Sequence, residues 1–335
     1  MATMAFGSYT CRDATMMLSS AIDDLKAQPL WLLLPTSLGF LTLSKSFISL
    51  LHWLFLTFLR PPKNLLASYG SWALVTGASD GIGKAFAFQL AGKGLNLILV
   101  SRNPEKLRAV SSEVRAKFPN TEVKIVALDF SGDIAAGARL IEEAVEGLEV
   151  GVLVNNAGVT YPAARFFHEV EEEVMTGVVR VNLEGTTRVT RAVLPAMLKL
   201  GRGAIVNIGS GAAIVVPSHP LFALYAATKA YVDKLSTSLS VEYKSRGIQI
   251  QCQVPLYVAT KMVSNKRSSF FTPSPEEYAG AAVRRIGQEE ARCMPYWPHS
   301  LQWCFASFFP DSLLDIWRLS IGIQRRAGTL PPSSL

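Results

Sequence analysis

The short apolar run Trp72-Ala73-Leu74-Val75 breaks at Thr76 into Gly77-Ala78-Ser79-Asp80-Gly81-Ile82-Gly83, and a helix-like stretch follows at once. Nothing else in the chain constrains its fold as tightly. Glycines at 77, 81 and 83 let the backbone turn sharply out of a buried strand and into a helix. They also leave backbone N–H groups bare at the positive end of that helix.

The same grammar repeats downstream. Apolar runs at about 95–101, 122–128, 150–155, 203–209 and 248–254 predict five more strands. Amphipathic stretches at about 82–92, 104–117, 133–147, 168–178, 182–200 and 223–246 predict the helices between them. Strand–helix alternation builds a parallel sheet with helices on both faces. Runs such as Leu97–Val100 and Val152–Asn155 are apolar throughout, as strands buried on both sides must be. The expected fold is therefore α/β, a Rossmann-like doubly wound parallel sheet with no internal boundary between residues 68 and 290.

Ahead of it lies a different kind of segment. Residues 30–59 are almost wholly apolar, with Lys45 as their one formal charge. About 20 apolar residues cross a bilayer, so 30–59 is read as a membrane anchor, with Trp31 and Trp53 as interfacial residues. Lys45 is costly in mid-bilayer; a tilted span or a hairpin turning near Lys45 relieves it. Arg60 and Lys63 follow at once and place the next domain in the cytosol by the positive-inside rule. Residues 1–29 read as a flexible segment, and 291–335 as an apolar C-terminal extension open to membrane association, lid or dimer roles. The apolar content, 49%, excludes a disordered chain. Net charge +7 and pI near 9.2 suit an anionic cofactor or a membrane surface, while no basic block points to nucleic acid. Cys11, Cys252, Cys293 and Cys304 form no CxxC pair, and no metal site is expected.

The glycine turn predicts a pyrophosphate cradle at Gly77, Ser79, Asp80, Gly81, Ile82 and Gly83. Arg102 stands nineteen residues past Gly83, at the end of the second strand. An acid there would bind a ribose 2′-hydroxyl, whereas an arginine accommodates a 2′-phosphate, so NADPH/NADP+ is the expected cofactor. Asp129, closing the third strand, lies where an adenine amino group would fall. Asn155-Asn156-Ala157-Gly158 closes the fourth with small and amide residues beside the cofactor.

Further on, Tyr225 and Lys229 are four apart and share a helix face. A phenol is a poor acid or base at neutral pH unless a neighbouring ammonium shifts it. So placed, Tyr225 passes a proton to a carbonyl oxygen as hydride reaches carbon. Ser210, at the end of the fifth strand, hydrogen-bonds the same oxygen, and Asn182 holds a water in a proton relay. Lys261, Lys266 and Arg267 offer cations to a phosphate-rich substrate. His168 and His219 are read as structural.

Taken together, TGASDGIG at 76–83, NNAG at 155–158, Asn182, Ser210 and YAATK at 225–229 resemble the short-chain dehydrogenase/reductase family over about 70–290. The resemblance implies Tyr225 as catalytic acid and Lys229 lowering its pKa and gripping the nicotinamide ribose. It implies Ser210 orienting the carbonyl and Asn182 completing a tetrad. Two departures touch the pocket: Ser210 precedes Tyr225 by fifteen residues where the family has thirteen, and Pro255-Leu256 stands where it has Pro-Gly.

The stretch from Phe58 to Leu107, FFHEV at 166–170 and YKSRGIQIQCQVPLYVATKM at 243–262 resemble the membrane-bound very-long-chain 3-oxoacyl-CoA reductases of the endoplasmic reticulum. They are also similar to related 17β-hydroxysteroid dehydrogenases. That resemblance implies Val258 and Thr260 at the nicotinamide end. It implies reduction of 3-oxoacyl-CoA in fatty-acid elongation beside a condensing enzyme, a dehydratase and an enoyl reductase, with a homodimer open. A steroid or 3-ketosphinganine reductase with the same catalytic groups is the alternative, and a catalytically weak scaffold is a third reading.

Overall fold

A computed structural model describes residues 29–263, 267–288 and 290–328, together with Met16, Ser20 and Asp23. Most of the 1–29 segment, Cys11, Lys266 and residues 329–335 lie outside the described residues. The chain divides into two units, Met1–Arg60 and Pro61–Leu335.

In the first unit, helix α1 spans Leu30–Leu54 and runs on as the π-helical turn Phe55–Leu59. It is continuous through Pro35 and Lys45, so the hairpin expected as one option at Lys45 does not form. Trp31, Leu34, Phe40, Leu43 and Phe47 are exposed. The hydroxyls of Thr36, Thr42 and Ser46 donate to carbonyls four residues back at 2.7, 2.8 and 2.9 Å, so the helix satisfies them itself. Trp31–Leu59 covers 29 residues. At 1.5 Å per residue that is about 43 Å, enough to cross a hydrocarbon core of about 30 Å.

The second unit is built on seven parallel strands in the order β3-β2-β1-β4-β5-β6-β7. They are β1 Trp72–Thr76, β2 Asn96–Ser101, β3 Val123–Ala127, β4 Val150–Asn155, β5 Gly203–Ile208, β6 Ile248–Gln253 and β7 Arg292–Cys293. Strands β1, β4 and β5 are buried along their whole length, which is why they read as mainly apolar runs. One face of the sheet packs Phe86, Leu90, Leu107 and Tyr278, and the other packs Ile141, Val189, Val193 and Met197. The chain winds outward from β1 to β3, then crosses back to lay β4 on the other side of β1. That reversal opens a crevice at the carboxyl ends of β1 and β4, the place where such sheets take ligands.

The helices of this unit are α2 Leu65–Tyr69, α3 Gly81–Ala91, α4 Pro104–Lys117, α5 Ile134–Val145, α6 Glu172–Val179, α7 Thr186–Leu200, α8 Ala223–Tyr243, α9 Pro275–Arg284, α10 Trp297–Ala306 and α11 Asp311–Ala327. The expected boundaries hold to within a few residues with instructive exceptions. A π-helical turn, Arg180–Gly185, joins α6 to α7, so Asn182 sits in a widened turn rather than opening a helix. The sheet also gains β7, whose two residues are too short to show a period, at Arg292–Cys293.

A chain of polar groups crosses the middle of the sheet. Asn155 Nδ2 donates to Thr190 Oγ1 and Asn207 Oδ1, both at 2.8 Å, and Asn207 Nδ2 donates to Ser236 Oγ at 2.8 Å. Asn207 and Ser236 have no exposed surface, so these bonds tie β4, β5, α7 and α8 where water cannot replace them. Asn207→Ala removes one of the two partners of the Asn155 Nδ2 and the donor to Ser236, and is expected to destabilise the fold by about 1–3 kcal/mol. Thermal unfolding of the detergent-solubilised chain checks this; an unchanged midpoint would remove the network from the sources of stability.

Candidate active site

Thr76 ends β1, and its hydroxyl oxygen accepts from the backbone N–H groups of Asn156 and Ala157, each at 3.0 Å. Asn156 Nδ2 donates back to the carbonyls of Thr76 and Gly77 at 3.1 and 3.3 Å. The exits of β1 and β4 are thereby stapled together. Gly77 and Gly81 lie at φ +63° and +54°, where side-chain-bearing residues are strained. A Cβ on Gly83 would stand 2.3 Å from the Gly77 carbonyl oxygen, so only glycine lets α3 begin this close to β1. Asp80 caps α3, its Oδ1 accepting from Gly81 N–H at 2.9 Å. Ser79 Oγ bonds Ser101 Oγ at 2.8 Å and ties the loop to the end of β2.

Above this crevice lies a cavity of about 1100 Å³. Gly77, Ser79, Asp80, Gly81, Ile82 and Asn156 line its floor. Arg102 and Lys106 line one end, from the exit of β2 and the first turns of α4. Ser210, Tyr225 and Lys229 line its wall, with Val258 and Thr260 of the segment after β6. A Cβ on Gly81 would meet Thr260 Cγ2 at 3.3 Å, so that segment folds directly over the start of α3. Lys261, on the same segment, pairs with Asp80 and holds its carboxyl below the usual range. The glycine cradle, the bare start of α3 and the Arg102–Lys106 end fit a phosphorylated dinucleotide.

Arg267 and Asn155 are absent from the cavity lining, and so are three of the expected cofactor and catalytic residues. Asp129 Oδ1 accepts from the backbone N–H and hydroxyl of Ser131 at 2.9 and 2.7 Å, which hold its carboxyl below the usual range, helped by Arg102. Gly83 is beneath the floor. Asn182 is buried; its Oδ1 accepts from Val159 N–H at 2.8 Å, and its Nδ2 donates to Val159 O and Thr228 Oγ1 at 2.9 and 3.0 Å. A Cβ on Gly158 would meet Asn182 Oδ1 and Lys229 Nζ at 3.4 Å each, so both atoms sit behind that glycine.

Helix α8 delivers Tyr225 and Lys229 from its first two turns. Lys229 is buried, and its Nζ donates to Ile208 O at 2.8 Å. Burial pushes its pKa down to about 8. Burial pushes the Tyr225 phenol above its ordinary value, while the Ser210 hydroxyl hydrogen-bonds it and opposes that rise. The Ser210 hydroxyl is thus a partner of the phenol that the four-residue spacing on α8 does not show. A phenol held this way keeps its proton at neutral pH, which suits a proton donor.

Sequence reasoning missed the opposite end of the cavity. Tyr257, after β6, receives hydrogen bonds from Arg318 at 3.3 Å and Arg325 at 2.9 Å, both on α11. Arg318 also bonds His219, read as structural, at 2.7 Å. Burial and the two arginines hold His219 neutral, with its pKa down to about 3. The seven-residue spacing of the arginines was visible, but their partners lie 61 to 99 residues away. Contacts of Arg326 with Glu169 and of Asp315 with Ser218 strap α11 down at two further points.

A family model described as short chain dehydrogenase matches residues 71–269. A protein of Arabidopsis thaliana named as very-long-chain 3-oxoacyl-CoA reductase-like is 57% identical, over 90% of this chain and 97% of that one. A human protein named as inactive hydroxysteroid dehydrogenase-like protein 1 is 39% identical, over 84% of each. Among solved structures, a short-chain dehydrogenase from Sphingobium yanoikuyae in complex with NADPH is 27% identical. It superposes with a TM-score of 0.61 over 78% of this chain and 99% of that one.

The burial of Lys229 has a measurable cost. Below about pH 8 it is charged both folded and unfolded, and the folded charge is poorly solvated. Between 8 and its usual 10.5 the folded chain has lost the proton while the unfolded chain keeps it, so stability rises with pH through that window. Lys229→Met is expected to stabilise the fold at pH 7 by about 1–3 kcal/mol while lowering turnover, and the advantage should vanish by about pH 10.5. Thermal midpoints across pH check it; a variant less stable than the parent at pH 7 would show that the Ile208 hydrogen bond outweighs the desolvation.

Proposed function

The chain belongs to the short-chain dehydrogenase family, and from that premise we propose that it reduces 3-oxoacyl-CoA to 3-hydroxyacyl-CoA with NADPH. The observation carrying this reading is the convergence of Ser210, Tyr225 and Lys229 on one cavity with the glycine cradle and Arg102. The Arabidopsis relative's name supports the acyl-CoA substrate, and the NADPH-bound neighbour supports the cofactor.

In this reading Gly77, Ser79, Gly81 and Ile82 seat the pyrophosphate, and Arg102 meets the 2′-phosphate. Val258 and Thr260 border the nicotinamide. NADPH bound there supplies the hydride. Ser210 donates to the 3-oxo oxygen and fixes its position. Tyr225 gives its phenolic proton to that oxygen as it becomes an alcohol. Lys229, largely charged at neutral pH, favours the phenolate left behind and grips the ribose. Asn182 holds the Gly158 wall beside Lys229 and completes the proton path. The exposed apolar helix α1 supports an anchor in the endoplasmic reticulum membrane, with the catalytic unit in the cytosol, where an insoluble acyl chain is at hand. Fatty-acid elongation, with its condensing enzyme, dehydratase and enoyl reductase, is the pathway this reading fits.

The name of the human relative keeps a second reading in view, a chain that binds NADPH without turning over. NADPH oxidation by detergent-solubilised protein, with a long-chain 3-oxoacyl-CoA and a 17-keto steroid in parallel, separates the cases. Turnover of the acyl-CoA alone is expected. Turnover of the steroid alone would move the substrate, and silence on both with NADPH bound would favour the inactive reading. Tyr225→Phe should lower kcat about 10²–10⁴-fold with NADPH affinity retained; parental turnover would remove Tyr225 as proton donor. Arg102→Asp should turn the cofactor preference towards NADH, and an unchanged NADPH/NADH ratio would take Arg102 out of the 2′-phosphate site.

A further inference from the structure

The α11 end of the cavity is cationic without an evident reason in the fold. Arg318 is only 7% exposed, yet its partners are the Tyr257 hydroxyl, the neutral His219 ring and the face of Trp317. Asp315, on the same helix, contacts Ser218, and Glu169 pairs with Arg326. Its Nε has no hydrogen-bond partner. Arg325 converges on the same phenolic oxygen and also lies over the Tyr257 ring, with 5.3 Å from its Cζ to the ring centre. Two guanidinium groups sharing one phenol repel each other, and Arg318, buried, forms no ion pair with a carboxylate among the described residues, which is costly for a cation. Both line the cavity with Tyr257, so an anion entering it meets donors already aimed. Gln302 lines the cavity too, and its buried Oε1 also lacks a partner. An amide N–H would satisfy it.

We propose that Arg318 and Arg325, with the Tyr257 hydroxyl, form an anion subsite that receives a phosphate of the coenzyme A carrier of the substrate. This rests on the acyl-CoA reading above. The phosphates of NADPH are the other source of the same chemistry; in the reading above the pyrophosphate belongs to the glycine cradle and the 2′-phosphate to the opposite end, at Arg102. Arg102 follows β2 and Tyr257 follows β6, four strand spacings apart, or about 19 Å. A phosphopantetheine arm carries both features the subsite selects, amide N–H groups for Gln302 and a terminal phosphate for the arginines.

The test compares a 3-oxoacyl-CoA with the same acyl chain on N-acetylcysteamine, which lacks phosphate, using the full chain in detergent. For Arg318→Gln and Arg325→Gln, kcat/KM for the CoA thioester should fall relative to that for the N-acetylcysteamine thioester by about tenfold or more, the scale of one charge-assisted hydrogen bond. NADPH affinity, read by nicotinamide fluorescence, should hold within about twofold. An unchanged ratio overturns the subsite, and a parallel loss of NADPH affinity assigns the arginines to the cofactor instead. If Arg318→Gln does not fold, Arg325→Gln and the parent protein carry the test. Free CoA should then inhibit reduction of the phosphate-free thioester far better than pantetheine, and equal potency overturns the proposal. A parent protein inert to both thioesters overturns the functional reading, and this inference falls with it.

Discussion

One hydroxyl holds the site open. Thr76 accepts two backbone N–H groups from the exit of β4, and Asn156 answers with its amide on the carbonyls of Thr76 and Gly77. These bonds cross the point where the strand order reverses, the one place in the sheet where neighbouring exits would otherwise splay. With the two exits fixed, α3 is forced against β1, and only glycine at 83 permits that approach. The cavity floor is a consequence of that staple, and the walls are hung from the strands beside it.

The wall that carries the chemistry shows how burial decides what spacing cannot. Tyr225 and Lys229 share a face because they are four apart on α8. Their protonation follows from their surroundings: a phenol pushed up by burial, a serine hydroxyl opposing that rise, and an ammonium pushed down. In an exposed helix the same pair would titrate near its ordinary values. The β4–β5 amide chain behind it, through Asn155, Asn207 and Ser236, gives α8 a fixed seat.

Much of this was legible beforehand because it is local. Buried parallel strands show as apolar runs, and the glycine turn shows as residue types at fixed spacing. Arg102, Ser210, Tyr225 and Lys229 lie at element ends that such patterns locate, and the structure brings them to one cavity. What stayed hidden is non-local or too small. The widened turn at Asn182 adds no distinctive residue. Strand β7 has two residues and no period. The Tyr257–Arg318–His219 cluster joins positions up to 99 apart, and no window of sequence contains them together.

The straps on α11 also set an order of events. Glu169 and Ser218 belong to segments made early, whereas Arg326 and Asp315 come after every strand of the sheet. A chain emerging from the ribosome builds its sheet from the N-terminal side and only then has the helix that roofs the cavity. Until those last contacts close, the nascent protein holds its cofactor cradle complete beneath an open top. The end of the cavity that Arg318 and Arg325 line is thus the last part of it to be made.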